Sequence, residues 1–116
     1  LKSDIEGDEF NFVNDINKNS QNIHLMAIEF HFLNKNRLIF KNAIIELKKN
    51  FNLIHLHGNN YAGYCEDGLP KVLEITFTNK RHYKVNENQY NLSFPIKNLD
   101  YQNVETKKDL QFSFNI

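Results

Sequence analysis

The stretch Ile23-His24-Leu25-Met26-Ala27-Ile28-Glu29-Phe30-His31-Phe32 constrains the fold more than any other segment. It is far shorter than the roughly 18–20 apolar residues that span a bilayer. Its length and flanks suit a strand covered on both faces, as central parallel strands are. Helical patterns lie on either side. Before it, Asp8 and Glu9 follow Gly7 as acids do in a first helical turn, and Phe10, Val13 and Ile16 recur at helical spacing, which predicts a helix over residues 8–18. Residues 19–22 read as a loop. After it, Leu38, Ile39, Ala43, Ile44, Leu47 and Phe51 mark an amphipathic helix over 36–50, with Lys48 and Lys49 well placed for the helix dipole.

The rest of the chain favours strand. Residues 52–57 form a short apolar run that ends in the turn signal Gly58-Asn59-Asn60. Residues 72–78 are β-rich, and Gly68-Leu69-Pro70 punctuates their start. The link between these two strands fits an antiparallel hairpin better than a right-handed crossover. Residues 82–85 read as an extension of the second strand. Leu110, Phe112, Phe114 and Ile116 alternate, as an extended segment packed on one face does. Residues 1–7 hold the end of a strand. The order of strand end, helix, strand, helix, strand, strand and tail predicts one α/β domain over 1–116. A mixed sheet lies between helices in three layers.

Composition narrows the function classes. A chain of 116 residues supports one core. Fourteen basic and fourteen acidic residues cancel, which disfavours a nucleic-acid partner because phosphate neutralisation drives that affinity. The single cysteine, Cys65, cannot form an internal disulfide, lacks an activating neighbour and reads as inert. No membrane partner and a cytoplasmic location are expected, since no spanning run or signal peptide is visible. The 19 Asn and 12 Lys against 2 Arg fit A/T-rich codons, and the Asn residues are scattered. Gly7, Gly58, Gly63 and Gly68 are dispersed, so no Gly-rich phosphate loop exists, and no nucleophile elbow is present.

Ligand sites in open α/β sheets lie beyond the carboxyl ends of parallel strands. The first end offers Asp4 and Glu6. The second offers Glu29 and His31, two apart and on one face. The third offers His55 and His57, followed by Asn59 and Asn60. Acids and imidazoles can act as general bases or metal ligands. No His-Glu-x-x-His or Cys-x-x-Cys is present, and no metal is expected. A carboxylate inside an apolar run needs a purpose or a partner, so Glu29 is either functional or paired with a lysine. For His55 and His57 the preferred reading is a hydrogen bond to a loop. Glu74 is solvated, paired or in the site. Tyr61 and Tyr64 cover the sheet edge or stack on a substrate.

Several segments together resemble one family. Lys2-Ser3-Asp4-Ile5-Glu6-Gly7-Asp8-Glu9-Phe10 resembles the Lys-x-Asp-x-Glu-Gly-x-Glu signature of FkbM-type S-adenosylmethionine-dependent methyltransferases. Ile28-Glu29-Phe30-His31 resembles the end of that family's fifth strand. His55-Leu56-His57-Gly58-Asn59-Asn60-Tyr61 and Leu69-Pro70-Lys71-Val72-Leu73-Glu74-Ile75-Thr76-Phe77 are similar to its sixth and seventh strands. Phe94-Pro95-Ile96-Lys97-Asn98-Leu99-Asp100-Tyr101 resembles its tail.

The resemblance implies the C-terminal half of a Rossmann-like class I methyltransferase fold, with strands ordered fourth, fifth, seventh, sixth and the seventh antiparallel. The family's Gly-rich turn and ribose-binding acid have no counterpart in this chain. The implied parent is an O-methyltransferase acting on a carbohydrate or small hydroxylated metabolite, with S-adenosylmethionine as its cofactor. This chain alone is expected to bind no cofactor and to be inactive. The start at Leu1 fits that reading. Asp4, Glu29 and His31 are the implied catalytic residues, with Glu6, His57 and Asn59 on the substrate. Asp4, Glu29, His31 and His57 are expected on one pocket rim. The alternative is a non-catalytic α/β binding or assembly module. Self-association is expected because the first strand would be an open edge.

Overall fold

The central apolar run alternates instead of burying both faces. A computed structural model describes residues 1–84 and 91–115. Strand β2 (Leu25–Phe30) turns Met26, Ile28 and Phe30 into the core. Ala27 and Glu29 are half-buried on the other face, and Leu25 is 53% exposed. The expectation of a strand covered on both faces is therefore corrected. Period-2 geometry sends alternate residues to opposite faces, and the helices cover only one of them.

Strand β1 (Lys2–Ser3) pairs parallel with β2. Strand β3 (Phe51–Gly58) and strand β4 (Leu73–Asn79) form the antiparallel hairpin expected from their short link. The sheet order is β1-β2-β4-β3, with β4 antiparallel to both neighbours. That is the expected order and direction of the four strands. The helix expected over 8–18 is a 3₁₀ segment, Glu9–Phe12, followed by helix α1 (Val13–Lys18). A second 3₁₀ turn, Ser20–Asn22, stands where a loop was expected. The side-chain amide of buried Asn79 donates to the carbonyls of Ser20 and Ile23, which ties this turn to the end of β4.

Helix α2 (Arg37–Leu47) buries Phe40, Ala43, Ile44 and Leu47, spaced i, i+3, i+4, i+7. Leu38 and Ile39, expected on the buried stripe, are exposed, and Phe51 opens β3. The stripe opens at Phe40, which meets Phe30 with ring centroids 5.3 Å apart. Phe10 meets the same ring at 5.6 Å. Full burial of a side chain such as Phe30 or Phe40 contributes roughly 1.5–3 kcal/mol. α1 and α2 touch each other and share one core with Met26, Ile28, Leu53, Leu56, Ile75 and Phe77. The helices thus form one layer, and the expected three-layer arrangement is not observed.

The C-terminal segment occupies the other side of β3. Strands β5 (Asn91–Phe94) and β6 (Phe112–Asn115) make a separate antiparallel ribbon. Phe94 stacks on Phe112 at 5.4 Å and stands edge-on to His55 at 5.6 Å. Leu110 and Phe112 are buried as their alternation predicts, while the side chain of Phe114 and all of Ile116 lie outside the described residues. The expected extension of β4 over 82–85 is absent at His82–Lys84, where the chain turns, and Val85 lies outside the described residues. Among the described residues no helix is long and apolar enough to cross a membrane.

Candidate functional site

Parallel pairing of β1 and β2 brings their carboxyl ends together, with Ser3 opposite Ile28. Asp4 follows β1, Glu29 is the penultimate residue of β2, and His31 follows β2. Three side chains from separate positions therefore reach one edge of the sheet. His31 Nε2 lies 3.4 Å from Glu29 Oε1 and 3.6 Å from Asp4 Oδ1. Its other nitrogen, Nδ1, lies 2.5 Å from Glu9 Oε1.

Glu9 was not among the candidate site residues. It opens the 3₁₀ segment after Gly7, and its side chain is 0% exposed. Both of its carboxylate oxygens accept the Gly7 backbone N–H, each at 3.0 Å. Gly7 has φ +115°, a conformation that side chains with a Cβ rarely adopt, so glycine permits this close loop. An ionised carboxylate only accepts, so the proton of this pair sits on Nδ1. His31 is then held by a buried acid with Nε2 directed at Asp4 and Glu29. The only sequence signal for Glu9 was its place as the last acid of the Lys-x-Asp-x-Glu-Gly-x-Glu segment; helical patterning assigned it to a first turn.

Asn59 completes this edge. Its side-chain amide donates to Glu29 Oε1 at 3.2 Å, and its Oδ1 accepts the Tyr61 N–H at 3.0 Å. Among the described residues no lysine or arginine lies within ion-pair distance of Glu29, so the lysine-paired alternative is not what the structure shows. Asp4, Glu29, His31 and Asn59 face a cleft of about 600 Å³ that also includes Glu6 and Tyr61. Phe32, at φ +56° and exposed, stands at its wall. For a bulky residue that backbone is an outlier, of the kind found where a fold shapes a binding edge.

His57 is not part of the cleft. It faces Asp109 Oδ2, 3.2 Å from its Nε2, and His55 Nε2 lies 3.1 Å from Asp100 Oδ1. The expectation that His57 shares the rim is corrected. β4 stands between β2 and β3, and the C-terminal segment supplies His57 with a partner first. The preferred reading, a hydrogen bond to a loop, is observed for His57; His55 Nε2 lies near Asp100 but makes no hydrogen bond among the described residues. Asn60, buried beside them, donates to the carbonyls of Val104 and Lys107 at 3.0 and 3.1 Å and accepts the Val104 N–H at 2.8 Å. Tyr64 is engaged similarly: its hydroxyl accepts the Gln111 N–H at 2.7 Å. Glu74 lies in register between Glu29 and His57, with no ion pair to His57 among the described residues.

Cys65 is buried, and its thiol faces the Pro70 carbonyl at 3.7 Å. Burial pushes the thiol above its ordinary value of 9.0, with the Arg37 charge opposing part of that rise. This agrees with the reading of Cys65 as inert.

The cleft edge thus presents one oriented imidazole, two converging carboxylates and an amide. It can accept a proton from a bound hydroxyl, hold several hydroxyls by hydrogen bonds, or ligate a cation. Gly58 is closed over by Pro70 and Phe112, whereas Gly63 and Gly68, in the link between β3 and β4, face open space. Against known proteins, the chain matches no family model, no curated protein and no solved structure.

Proposed function

We propose that this chain is the acceptor side of an S-adenosylmethionine-dependent O-methyltransferase acting on a carbohydrate or small hydroxylated metabolite. The observation that carries the reading is the strand order β1-β2-β4-β3 with β4 antiparallel. That order corresponds to strands four, five, seven and six of a Rossmann-like class I methyltransferase, the family type its segments resemble. In this reading His31, held through Nδ1 by Glu9, takes the acceptor's proton on Nε2. Asp4 is the second candidate base. Glu29 and Asn59 hold acceptor hydroxyls, Glu6 lines the same cleft, and Tyr61 offers an aromatic face. His57 has no part in it.

The chain carries no Gly-rich turn of the kind that approaches the cofactor in that family. The chain alone is expected to show no heat of binding with S-adenosylmethionine in calorimetry, and micromolar affinity would contradict this. The reading itself is tested by the coding sequence directly upstream. An in-frame strand–turn–helix segment with a Gly-rich turn supports it. A stop codon immediately before Leu1 favours a stand-alone α/β binding or assembly module. The module reading draws on one observation: β1 is an edge strand of two residues with exposed Leu1 and Leu25 beside it. Sedimentation at high concentration that shows dimers favours association through that edge, and a monomer counts against it.

A further inference from the structure

The charges around His31 do not balance. Asp4 and Glu29 face Nε2, and Glu9 holds Nδ1. Glu74 adds a fourth carboxylate, directly opposite Glu29 in the β2–β4 register. Like charges opposite one another on a sheet are destabilising. Lys35 and Lys71 line the cleft, yet neither is within ion-pair distance of Asp4 or Glu29. The His31 imidazole is the only basic side chain within ion-pair distance of Asp4, Glu9 and Glu29 among the described residues. Its Nε2 contacts, at 3.4 and 3.6 Å, are longer than the roughly 2.7–2.9 Å of a charge-assisted hydrogen bond.

Those same distances suit ligands around a shared centre. Bonds of about 2.0–2.2 Å to nitrogen and oxygen place adjacent ligand atoms about 3.0–3.5 Å apart. One ligand atom each from Asp4, Glu29 and His31 lies within 4.8 Å of the other two. Asp4 is the widest-set and its side chain is 49% exposed, so it is free to close in. The supporting contacts also match a metal centre. A ligating histidine typically gives its second N–H to a carboxylate, as His31 gives Nδ1–H to the fully buried Glu9. Ligating carboxylates are themselves hydrogen-bonded, as Glu29 is by Asn59.

We infer that Asp4, Glu29 and His31 Nε2 form a binding site for one divalent first-row transition cation, with Glu9 as the positioning residue. The imidazole favours Mn²⁺, Fe²⁺ or Zn²⁺ over Mg²⁺ or Ca²⁺, which prefer all-oxygen shells. The ligands come from three places brought together by strand pairing, so no metal-spacing motif occurs in the sequence. The site goes beyond the methyl-transfer reading and does not need it. A cation and a proton compete for Nε2, so an occupied site would activate a hydroxyl by coordination instead of by His31 as base.

The test is titration of the chelator-stripped chain with Mn²⁺ alone and with Zn²⁺ alone, read by calorimetry. One ion per chain is expected. Asp4→Asn and Glu29→Gln should each weaken binding by about tenfold or more, and Glu9→Gln by about tenfold with the three ligands intact. The stacked pair His24 and His82, with ring centroids 4.0 Å apart, is the competing place for adventitious metal. Binding that survives Asp4→Asn and Glu29→Gln but is lost in His82→Gln overturns the proposal, as does no binding at all. A second measurement avoids dependence on variants. In the unsubstituted chain, substoichiometric Mn²⁺ should broaden the NMR signals of Asp4, Glu29, His31 and Asn59 first. Broadening that begins elsewhere overturns the site.

Discussion

Around His31 three carboxylates meet one imidazole at the edge of an open cleft. On β3, by contrast, His55 and His57 each meet one aspartate of the C-terminal segment. The residue types are the same and the outcomes differ. One-to-one pairing, hydrogen-bonded at His57, fastens a segment to the sheet. Excess carboxylate leaves capacity directed at the cleft, which is what a substrate hydroxyl or a cation requires. Burial follows the same division. His57 and Asp109 are both mostly covered, whereas Asp4 is half open to solvent.

The largest expected effect separates scaffold from site. Glu9→Ala should destabilise the fold by about 2–4 kcal/mol, because it strands buried donors of Gly7 and His31. Urea unfolding measures this, and a loss under about 1 kcal/mol would mean Glu9 is not a structural anchor. On the other side of the comparison, Asn60→Ala should cost about 2–3 kcal/mol, since it leaves the Val104 N–H and two carbonyls without their partner. Hydrogen exchange at Val104 should rise with it, while exchange near Glu9 stays unchanged.

Gly7→Ala should cost about 1–2 kcal/mol through φ +115° and a close approach to Phe32. It should lower the thermal midpoint and loosen the His31 side without affecting the Asn60 side. His57→Gln is expected to cost about 1 kcal/mol, the scale of one partly covered pair. Its signature is an unchanged Mn²⁺ isotherm; altered metal affinity would collapse the distinction between the two regions.

The smallest effect concerns Cys65, in the link between β3 and β4. Burial raises its folded thiol above its ordinary value, while the unfolded thiol keeps that value. The contribution of the neutral thiol is therefore fully present below the ordinary thiol range and lost as pH rises through the raised one. Melting temperature should fall slightly over that window, and Cys65→Ser should flatten the fall. Alkylation by iodoacetamide should be slower in the folded chain than in urea.

Much of the fold is legible in local pattern. Met26, Ile28 and Phe30 alternate, and so do Leu73, Ile75 and Phe77, as half-buried strands do. Reading residues 23–32 as doubly covered went too far, because a dense apolar run does not state how many faces will be capped. The start of the α2 stripe was misjudged for a different reason. Leu38 has Lys41 and Asn42 at i+3 and i+4, whereas Phe40 has Ala43 and Ile44, so the period itself selects Phe40, which packs on Phe30. In the site, Asp4, Glu29, His31 and Asn59 were readable as polar residues at strand ends. Glu9 was not, because a first-turn acid and a buried anchor look alike in sequence.

The amino-acid order alone determined the apolar strand runs within residues 23–32, 52–57 and 72–78, the helical patterns within 8–18 and 36–50, the turn at Gly58-Asn59-Asn60, and the lack of a Gly-rich loop. These follow from side-chain period and backbone preference over a few residues. The tertiary structure alone decided that His31 meets Glu9, 22 positions away, and that His57 meets Asp109, 52 positions away. It also decided that Glu74 stands opposite Glu29. Such meetings depend on sheet order, strand direction and the path of connecting segments, which place distant residues side by side through packing that no local period encodes.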